Sequence, residues 1–267
     1  MNNVQNQLDV ANAHRIEFCP IHGEYESRRL INILWSKCPA CSTEAMDRSK
    51  NETEERERIR RIDAWHQKIG RSGIPYRFQE RTLDSFIATI EAQTRALMFA
   101  RAYADNFDDV LATGRSAVFV GKPGTGKTHL AAGIGIHVMH QGRSVFFTSV
   151  FRALRRIKGS WKKDSVETET QAVNALVFPD LLILDEVGQQ FGSETEKLLL
   201  FDVLNERYEN RKPTLLLANV PLDDYSVNGQ MTSGLKSFLG TRVIDRLRED
   251  GGEFVSFGWG SYRGKSE

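Results

Sequence analysis

The chain has 267 residues, 40% of them hydrophobic, with 36 lysines and arginines against 35 aspartates and glutamates. That size accommodates one full domain and a smaller appendage. A formal net charge of +1 excludes a polyanion-binding role founded on bulk electrostatics, so any nucleic-acid contact has to come from a local patch. No run reaches membrane-spanning length, and the opening MNNVQNQLDVANAHRIEF carries neither an apolar signal core nor transit-peptide character. A cytoplasmic protein with no membrane partner is expected.

The cysteines come first along the chain. Cys19-Pro-Ile-His22 is followed 15 residues later by Cys38-Pro-Ala-Cys41. Two such knuckles place four ligands tetrahedrally around Zn²⁺, and an odd cysteine count argues against a closed disulfide framework. A small module over 1–43 is expected, with Ile21, Tyr25, Leu30, Ile33, Leu34 and Trp35 as its few core residues. So little core needs a metal staple, which makes the zinc structural. From Glu44 to Ile69 acidic and basic residues balance, and Ile59, Ile62 and Ile69 keep helical spacing near Trp65. This predicts a solvated linker helix, ended by Gly70 and Ser72-Gly73-Ile74-Pro75 within a 44–75 linker. An extended lead-in, Tyr76 to Phe86, then opens the main domain, 76–267.

Residues Gly121 to Thr128 read GKPGTGKT, preceded by the β-rich run Ala117-Val118-Phe119-Val120 and followed by a helix-like stretch from about His129. This is the context a phosphate-binding loop needs. Gly121, Pro123, Gly124, Thr125 and Gly126 shape backbone that closes around phosphates, with the helix N-terminus adding a positive dipole end. Lys127 is expected to reach the β- and γ-phosphates and Thr128 to ligate Mg²⁺. The ligand is ATP or GTP. The unit Val145–Thr148 followed by Ser149–Lys158 predicts one strand and one helix. A buried strand, Pro179 to Leu184, then delivers Asp185 and Glu186 at its C-terminal edge, 58 residues after Lys127. Asp185 is expected to hold the Mg²⁺ and Glu186 to act as general base on water, which points to hydrolysis rather than transfer. Glu194 to Asn210 reads as an amphipathic helix, and Thr214 to Leu217 as a strand ending in Ala218-Asn219. Asn219 at that strand tip is placed to orient the lytic water. His129, His137 and His140 read as packing or surface residues.

The order GKPGTGKT, LLILDE, LLLAN, LGTRVIDRLRE resembles an AAA+ ATPase of the DnaC/IstB type. The lead-in SGIPYRFQERTLDSF and the ending FGWGSYRGK resemble the DnaC helicase-loader branch, and the zinc head resembles that of bacterial and phage loaders. The resemblance covers roughly residues 70 to 263. It implies an α/β fold: a P-loop ATPase with a central parallel sheet flanked by helices, binding ATP, with a reduced or absent lid. It also implies side-by-side self-association, the nucleotide of one subunit being completed by an arginine of the next. Arg246 is then the expected finger and Arg242 its neighbour. Arg263 is a candidate second sensor, against which stands the shortness of the chain after Asp250.

Phe151-Arg152-Ala153-Leu154-Arg155-Arg156-Ile157-Lys158, with Trp161-Lys162-Lys163, follows the second strand, where the family's ring faces its channel. Its cations and aromatics suit single-stranded DNA. The resemblance implies a protein that grips a hexameric DnaB-type replicative helicase and loads it onto single-stranded DNA, hydrolysing ATP to ADP and phosphate. The alternative is a transposition helper of the IstB type, acting on duplex DNA with a transposase. A third possibility is an ATPase that serves only as a switch.

Overall fold

A computed structural model describes residues 14–31, 34–188, 193–227 and 230–262. The chain forms two compact units, Met1–His66 and Gln67–Glu267. In the first, β1 (His14–Cys19) and β2 (Gly23–Ile31) form an antiparallel hairpin, and β3 (Leu34–Trp35) pairs with β2. The helix Pro39–Arg71 follows. Proline suits its first position, where the missing N–H has no intrahelical partner to lose. The helix therefore starts five residues before Glu44, and Cys41 falls in its first turn. Its ion pairs, such as Lys50–Glu54 and Glu52–Arg56, are exposed and contribute about 0.3 kcal/mol each. Ile69 is buried and Ile59 exposed; the Ile62 side chain and Ile33 lie outside the described residues.

The expected head core is overturned in part. Ile21, Leu30 and Leu34 are 74%, 57% and 59% exposed. A single-layer hairpin has one inner face, occupied here by Glu17 and Cys19 opposite Tyr25 and Gly23, with Ser27 buried and donating to the Ser36 carbonyl. Alternation puts Ile16 and Phe18 on the outer face.

The second unit is built on a five-stranded sheet in the order β10-β4-β7-β6-β5. These are Glu253–Phe257, Ala117–Gly121, Thr214–Ala218, Leu181–Val187 and Val145–Ser149, all parallel to their neighbours. Both faces are covered, so the central strands read as unbroken apolar runs. On one face, Phe119 meets Phe99 of the helix Glu91–Asp105, and Ile183 approaches Gly135 of the helix Lys127–His140. On the other, Val118, Leu182, Leu184 and Leu216 join Leu154, Leu176, Leu200 and Leu247 in one core. Those four come from the helices Val150–Ser160, Glu169–Val177, Glu194–Glu209 and Thr241–Arg248.

Two expectations differ, and the segment carrying Arg242 and Arg246 is divided. The lead-in is turned rather than extended: a 3-10 turn spans Tyr76–Phe78, and Phe86 N–H closes on the Leu83 carbonyl. A second helix, Glu169–Val177, lies between the loop and β6, capped by Thr168 and Gln171. The stretch 235–249 breaks at Gly240 into Leu235–Leu239 and Thr241–Arg248. A small hairpin of β8 (Tyr225–Val227) and β9 (Gln230–Thr232) precedes them. The short helix Phe107–Thr113 completes the unit. Among the described residues no helix is long and apolar enough to cross a membrane.

Arg207 staples the sheet at the end away from the strand tips. Fully buried, its guanidinium donates to the Thr214 hydroxyl and to the carbonyls of Leu176, Val177, Pro179 and Pro213. Burial pulls its pKa down to about 9.

Candidate nucleotide and metal sites

The strand tips of β4, β5, β6 and β7 open onto a cleft of about 770 Å³, within the range of small-molecule sites. Gly124, Gly126, Lys127, Thr128, Asp185, Glu186 and Asn219 all line it, as does Pro123. Gly121 and Thr125 stand behind that surface, Thr125 fully buried with its hydroxyl on the Lys122 carbonyl. Gly126 has φ 98°, and a Cβ there would lie 2.7 Å from the Phe86 ring, so the loop needs glycine at this turn. Lys127 is buried and donates through Nζ to the Gly121 and Lys122 carbonyls at 2.6 and 2.8 Å. Its ammonium is thus held along the loop.

Thr128 Oγ1 donates to Asp185 Oδ2 at 3.0 Å, and Glu186 N–H donates to Asp185 Oδ1 at 2.7 Å. Burial pushes the Asp185 carboxyl up despite those donors, so it sits where a cation would relieve its charge. Two oxygens 3.0 Å apart match adjacent corners of an octahedral Mg²⁺ shell, which are about 2.9 Å apart for ligands at 2.0–2.1 Å. Between Leu184 and Val187 the β6–β7 register slips, so β6 carries an extra residue there. Glu186 takes φ 62° in this bulge, a left-handed conformation that costs a non-glycine residue about 1 kcal/mol or more. The bulge re-aims an exposed carboxylate into the cleft beside Asn219.

Arg242 and Arg246 are not in this cleft. They lie on the helix Thr241–Arg248 at a separate surface shared with Tyr208 and Glu249. Arg246 stacks over the Tyr208 ring at 4.8 Å, the Tyr208 hydroxyl donates to Glu249 at 2.5 Å, and Arg246 Nη1 is buried without a partner. Arg263 lies outside the described residues.

The basic-aromatic stretch is reduced by its own neighbours. Arg156 makes a two-pronged pair with Glu167, and Lys158 pairs with Glu196 at 2.5 Å. Arg152 lines the nucleotide cleft instead. Phe151, 61% exposed and under the Arg155 guanidinium at 4.5 Å, remains on the outer face with Trp161, Lys162 and Lys163. His129 hydrogen-bonds Ser85 and the Thr82 carbonyl, and burial lowers its pKa. His137 pairs with Asp105. Three residues to which the sequence reading assigned no role also belong to the cleft or support it: Phe86, Trp259 and Tyr262. They fall in the two segments, SGIPYRFQERTLDSF and FGWGSYRGK, that carried the family resemblance, but nothing in those segments assigns them to the cleft.

In the first unit, Cys19 ends β1, His22 lies in the hairpin turn, and Cys38 and Cys41 flank the start of the long helix. One ligand atom from each lies within 4.8 Å of all the others. His22 Nδ1 is 3.8, 3.7 and 3.3 Å from the sulfurs of Cys19, Cys38 and Cys41, and Cys19 and Cys41 are 3.5 Å apart. Tetrahedral Zn²⁺ with S at 2.3 Å and N at about 2.0 Å sets ligand separations of about 3.5–3.8 Å. The donor set fits. Backbone N–H groups of Ile21 and His22 pull the Cys19 thiol down to about 6, whereas its bond to Cys19 pushes Cys41 up to about 11. A thiolate on Cys19 thus opposes a second one on Cys41, an opposition that a bound cation would relieve. His22 Nε2 meets Glu44 at 2.9 Å, which orients the ring with Nδ1 towards the sulfurs.

Comparison with known proteins places this geometry. Residues 103–267 match the model of the family described as IstB-like ATP binding protein. The chain is 34% identical over 197 residues to the replicative helicase loader DnaC of Buchnera aphidicola subsp. Baizongia pistaciae, covering 74% of this chain and 75% of that one. It is also 34% identical over 209 residues to the replicative helicase loader DnaC of Escherichia coli strain K12, covering 78% and 80%. The crystal structure of a DnaC helicase loader superposes with a TM-score of 0.57 at 25% identity, over 68% of this chain and 99% of that one. The chain belongs to the IstB-like ATP-binding family of AAA+ ATPases, and the two relatives compared above are named replicative helicase loader DnaC.

Proposed function

We propose that the protein binds ATP with Mg²⁺, assembles side by side with further copies, and loads a DnaB-type replicative helicase onto single-stranded DNA. The carrying observation is the partition of the machinery between two surfaces. Lys127, Thr128, Asp185, Glu186 and Asn219 share one cleft, whereas Arg242 and Arg246 stand on another surface, available to a neighbouring subunit. Arg77, Arg81 and Arg152 line the cleft, but the two arginines at the family's finger position lie on the other surface, so in this reading a neighbouring copy completes the site.

In this reading Lys127 leaves the loop carbonyls for the β- and γ-phosphates, and Thr128 and Asp185 hold the metal. Mg²⁺, when bound, neutralises phosphate charge. Glu186 takes the proton from water that Asn219 orients, and Arg246 of the adjoining copy, with Arg242 beside it, stabilises the charge on the transferring phosphoryl group. An arginine finger raises turnover by about 10³–10⁵-fold, so the isolated subunit turns over slowly. Cys19, His22, Cys38 and Cys41 hold a structural zinc that fixes the head, and the head grips the helicase. DNA contact falls to Phe151 and Arg155 with Trp161, Lys162 and Lys163, since Arg156 and Lys158 are engaged within the fold.

The test is to incubate the protein with the replicative helicase of the same cell, ATP and circular single-stranded DNA, and to count helicase rings retained on the circles. Retention that requires the protein and disappears with Lys127→Ala supports the loader reading. Equal retention without the protein removes it.

A further inference from the structure

The nucleotide cleft rests on a wall that the phosphate-loop motif does not supply. β10 runs beside β4 in register to its last residue, Phe257 opposite Gly121. The approach is close: a Cβ on Gly121 would lie 2.3 Å from the Phe257 carbonyl oxygen. Beyond Phe257 the chain crosses the back of the loop. The buried Trp259 donates its indole N–H to the Thr125 carbonyl at 2.8 Å, and Tyr262 N–H donates to the Gly124 carbonyl at 2.9 Å. The Trp259 ring packs on Phe257 with centroids 4.8 Å apart. The Tyr262 hydroxyl donates to the Ile87 carbonyl at 3.1 Å, and its ring stands edge-on to Phe86, the residue that closes on Gly126. Strap, lead-in and loop therefore form one cluster.

The two carbonyls held by the strap are consecutive. In a planar trans peptide the C=O and the following N–H point in opposite directions. The carbonyl of Gly124 is paired in this way with the N–H of Thr125, and that of Thr125 with the N–H of Gly126. Holding both carbonyls on the strap turns both N–H groups away from the strap donors, in a loop whose Gly124, Gly126 and Lys127 line the cleft. Backbone N–H groups are what a phosphate-binding loop offers to phosphate oxygens. Preset donors bind more tightly than donors that must first be ordered.

We propose that Trp259 and Tyr262 are positioning residues of the nucleotide site, presetting the two loop peptides that receive the phosphates. The proposal rests on the phosphate-loop reading of residues 121–128. It requires that loss of a strap donor weaken nucleotides according to their phosphates. Trp259→Phe keeps a packed ring and removes the N–H. Leaving a buried carbonyl without its donor costs about a factor of ten in affinity for the preset loop.

The experiment measures ADP, ATP and adenosine binding to full-length protein by competition with a fluorescent ADP, together with nucleotide-free melting. Trp259→Phe should weaken ADP and ATP about tenfold, leave adenosine competition unchanged and lower the nucleotide-free melting temperature by only about 3–6 °C. Should that variant fold poorly, Tyr262→Pro, which lacks the backbone N–H, is compared with Tyr262→Ala, which retains it. Only the proline should lose affinity for ADP and ATP beyond any loss for adenosine; whatever the missing Tyr262 side chain costs from the cleft wall should fall equally on adenosine. Parental ADP affinity in Trp259→Phe, or equal losses in Pro and Ala variants, overturns the proposal. Lys127→Ala serves as the control: if it binds ADP as tightly as the parent, the phosphate-loop reading itself fails, whatever the strap does.

Discussion

Asp185 is a carboxylate held where its charge is costly. Burial raises its pKa above the unfolded value, so its contribution to stability is present at low pH and is lost as pH rises through the folded pKa. Asp185→Asn removes the charge and keeps one acceptor oxygen, for the Glu186 N–H, while the Thr128 hydroxyl can turn to accept from the new amide. The nucleotide-free variant should melt above the parent at pH 7, with the gap closing as the buffer is acidified and the parent's carboxyl takes up its proton. The same variant should lose Mg²⁺-dependent ATP binding. A melting difference that is independent of pH would remove the buried charge as its cause. For Glu186 the expectation is opposite in kind. Glu186→Gln leaves ATP affinity intact and lowers turnover about 10²–10⁴-fold, the range for a general base, as read by phosphate release. Both residues were legible in LLILDE because an apolar strand ending in Asp-Glu has few other uses beside a phosphate loop. The bulge that turns Glu186 was not legible, since it arises from the offset of β6 against β7 and leaves no mark in the strand's composition.

At the scale of elements, the loop and the four strands around it follow from local pattern, and the missed pieces are those whose signal is short or tertiary. The helix Glu169–Val177 did have a signature, Thr168 three residues before Gln171, but acidic residues nearby masked it as a charged loop. β10 has no such cue. Glu253-Phe254-Val255-Ser256-Phe257 becomes a strand because the edge of β4 is open to it. Arg207 reads in sequence as one more cation on an amphipathic helix, yet it binds five acceptors in the interior. Arg207→Met should cost about 3 kcal/mol or more by leaving carbonyls without donors. That corresponds to a fall of roughly 6–12 °C in Tm for a unit of this size. Nucleotide affinity measured at low temperature should be unchanged, because the staple lies at the opposite end of the strands. The convergence of Cys19, His22, Cys38 and Cys41 was legible from spacing alone, while the exposed Ile21, Leu30 and Leu34 were not, because hydropathy does not reveal which face of a one-layer hairpin lacks a partner. Elemental analysis should find one zinc per chain. Stripping it with a chelator should abolish helicase capture and leave ATP binding intact; an absence of zinc in protein purified without chelator would remove the metal.

At the scale of the whole molecule, two surfaces that are each incomplete define the account. If the arginine of one copy completes the cleft of another, Lys127→Ala and Arg246→Ala proteins, each inactive alone, should regain part of the parental ATPase on mixing. Only a copy with an intact cleft beside one with an intact arginine can turn over. No recovery at any ratio would place the arginine's action within its own subunit. The head adds a second division of labour, since its three-cysteine, one-histidine cluster and the phosphate-loop cleft fall in separate compact units. The most direct test of the central claim is the mass of the complex formed between the full-length protein and the replicative helicase of the same cell, measured by light scattering with ATP and with ADP. The account predicts a stable complex whose stability differs between the two nucleotides and which is lost on deleting residues 1–66, the first compact unit. Failure to bind the helicase, with ATP-dependent assembly on duplex DNA instead, would contradict it and favour a transposition helper.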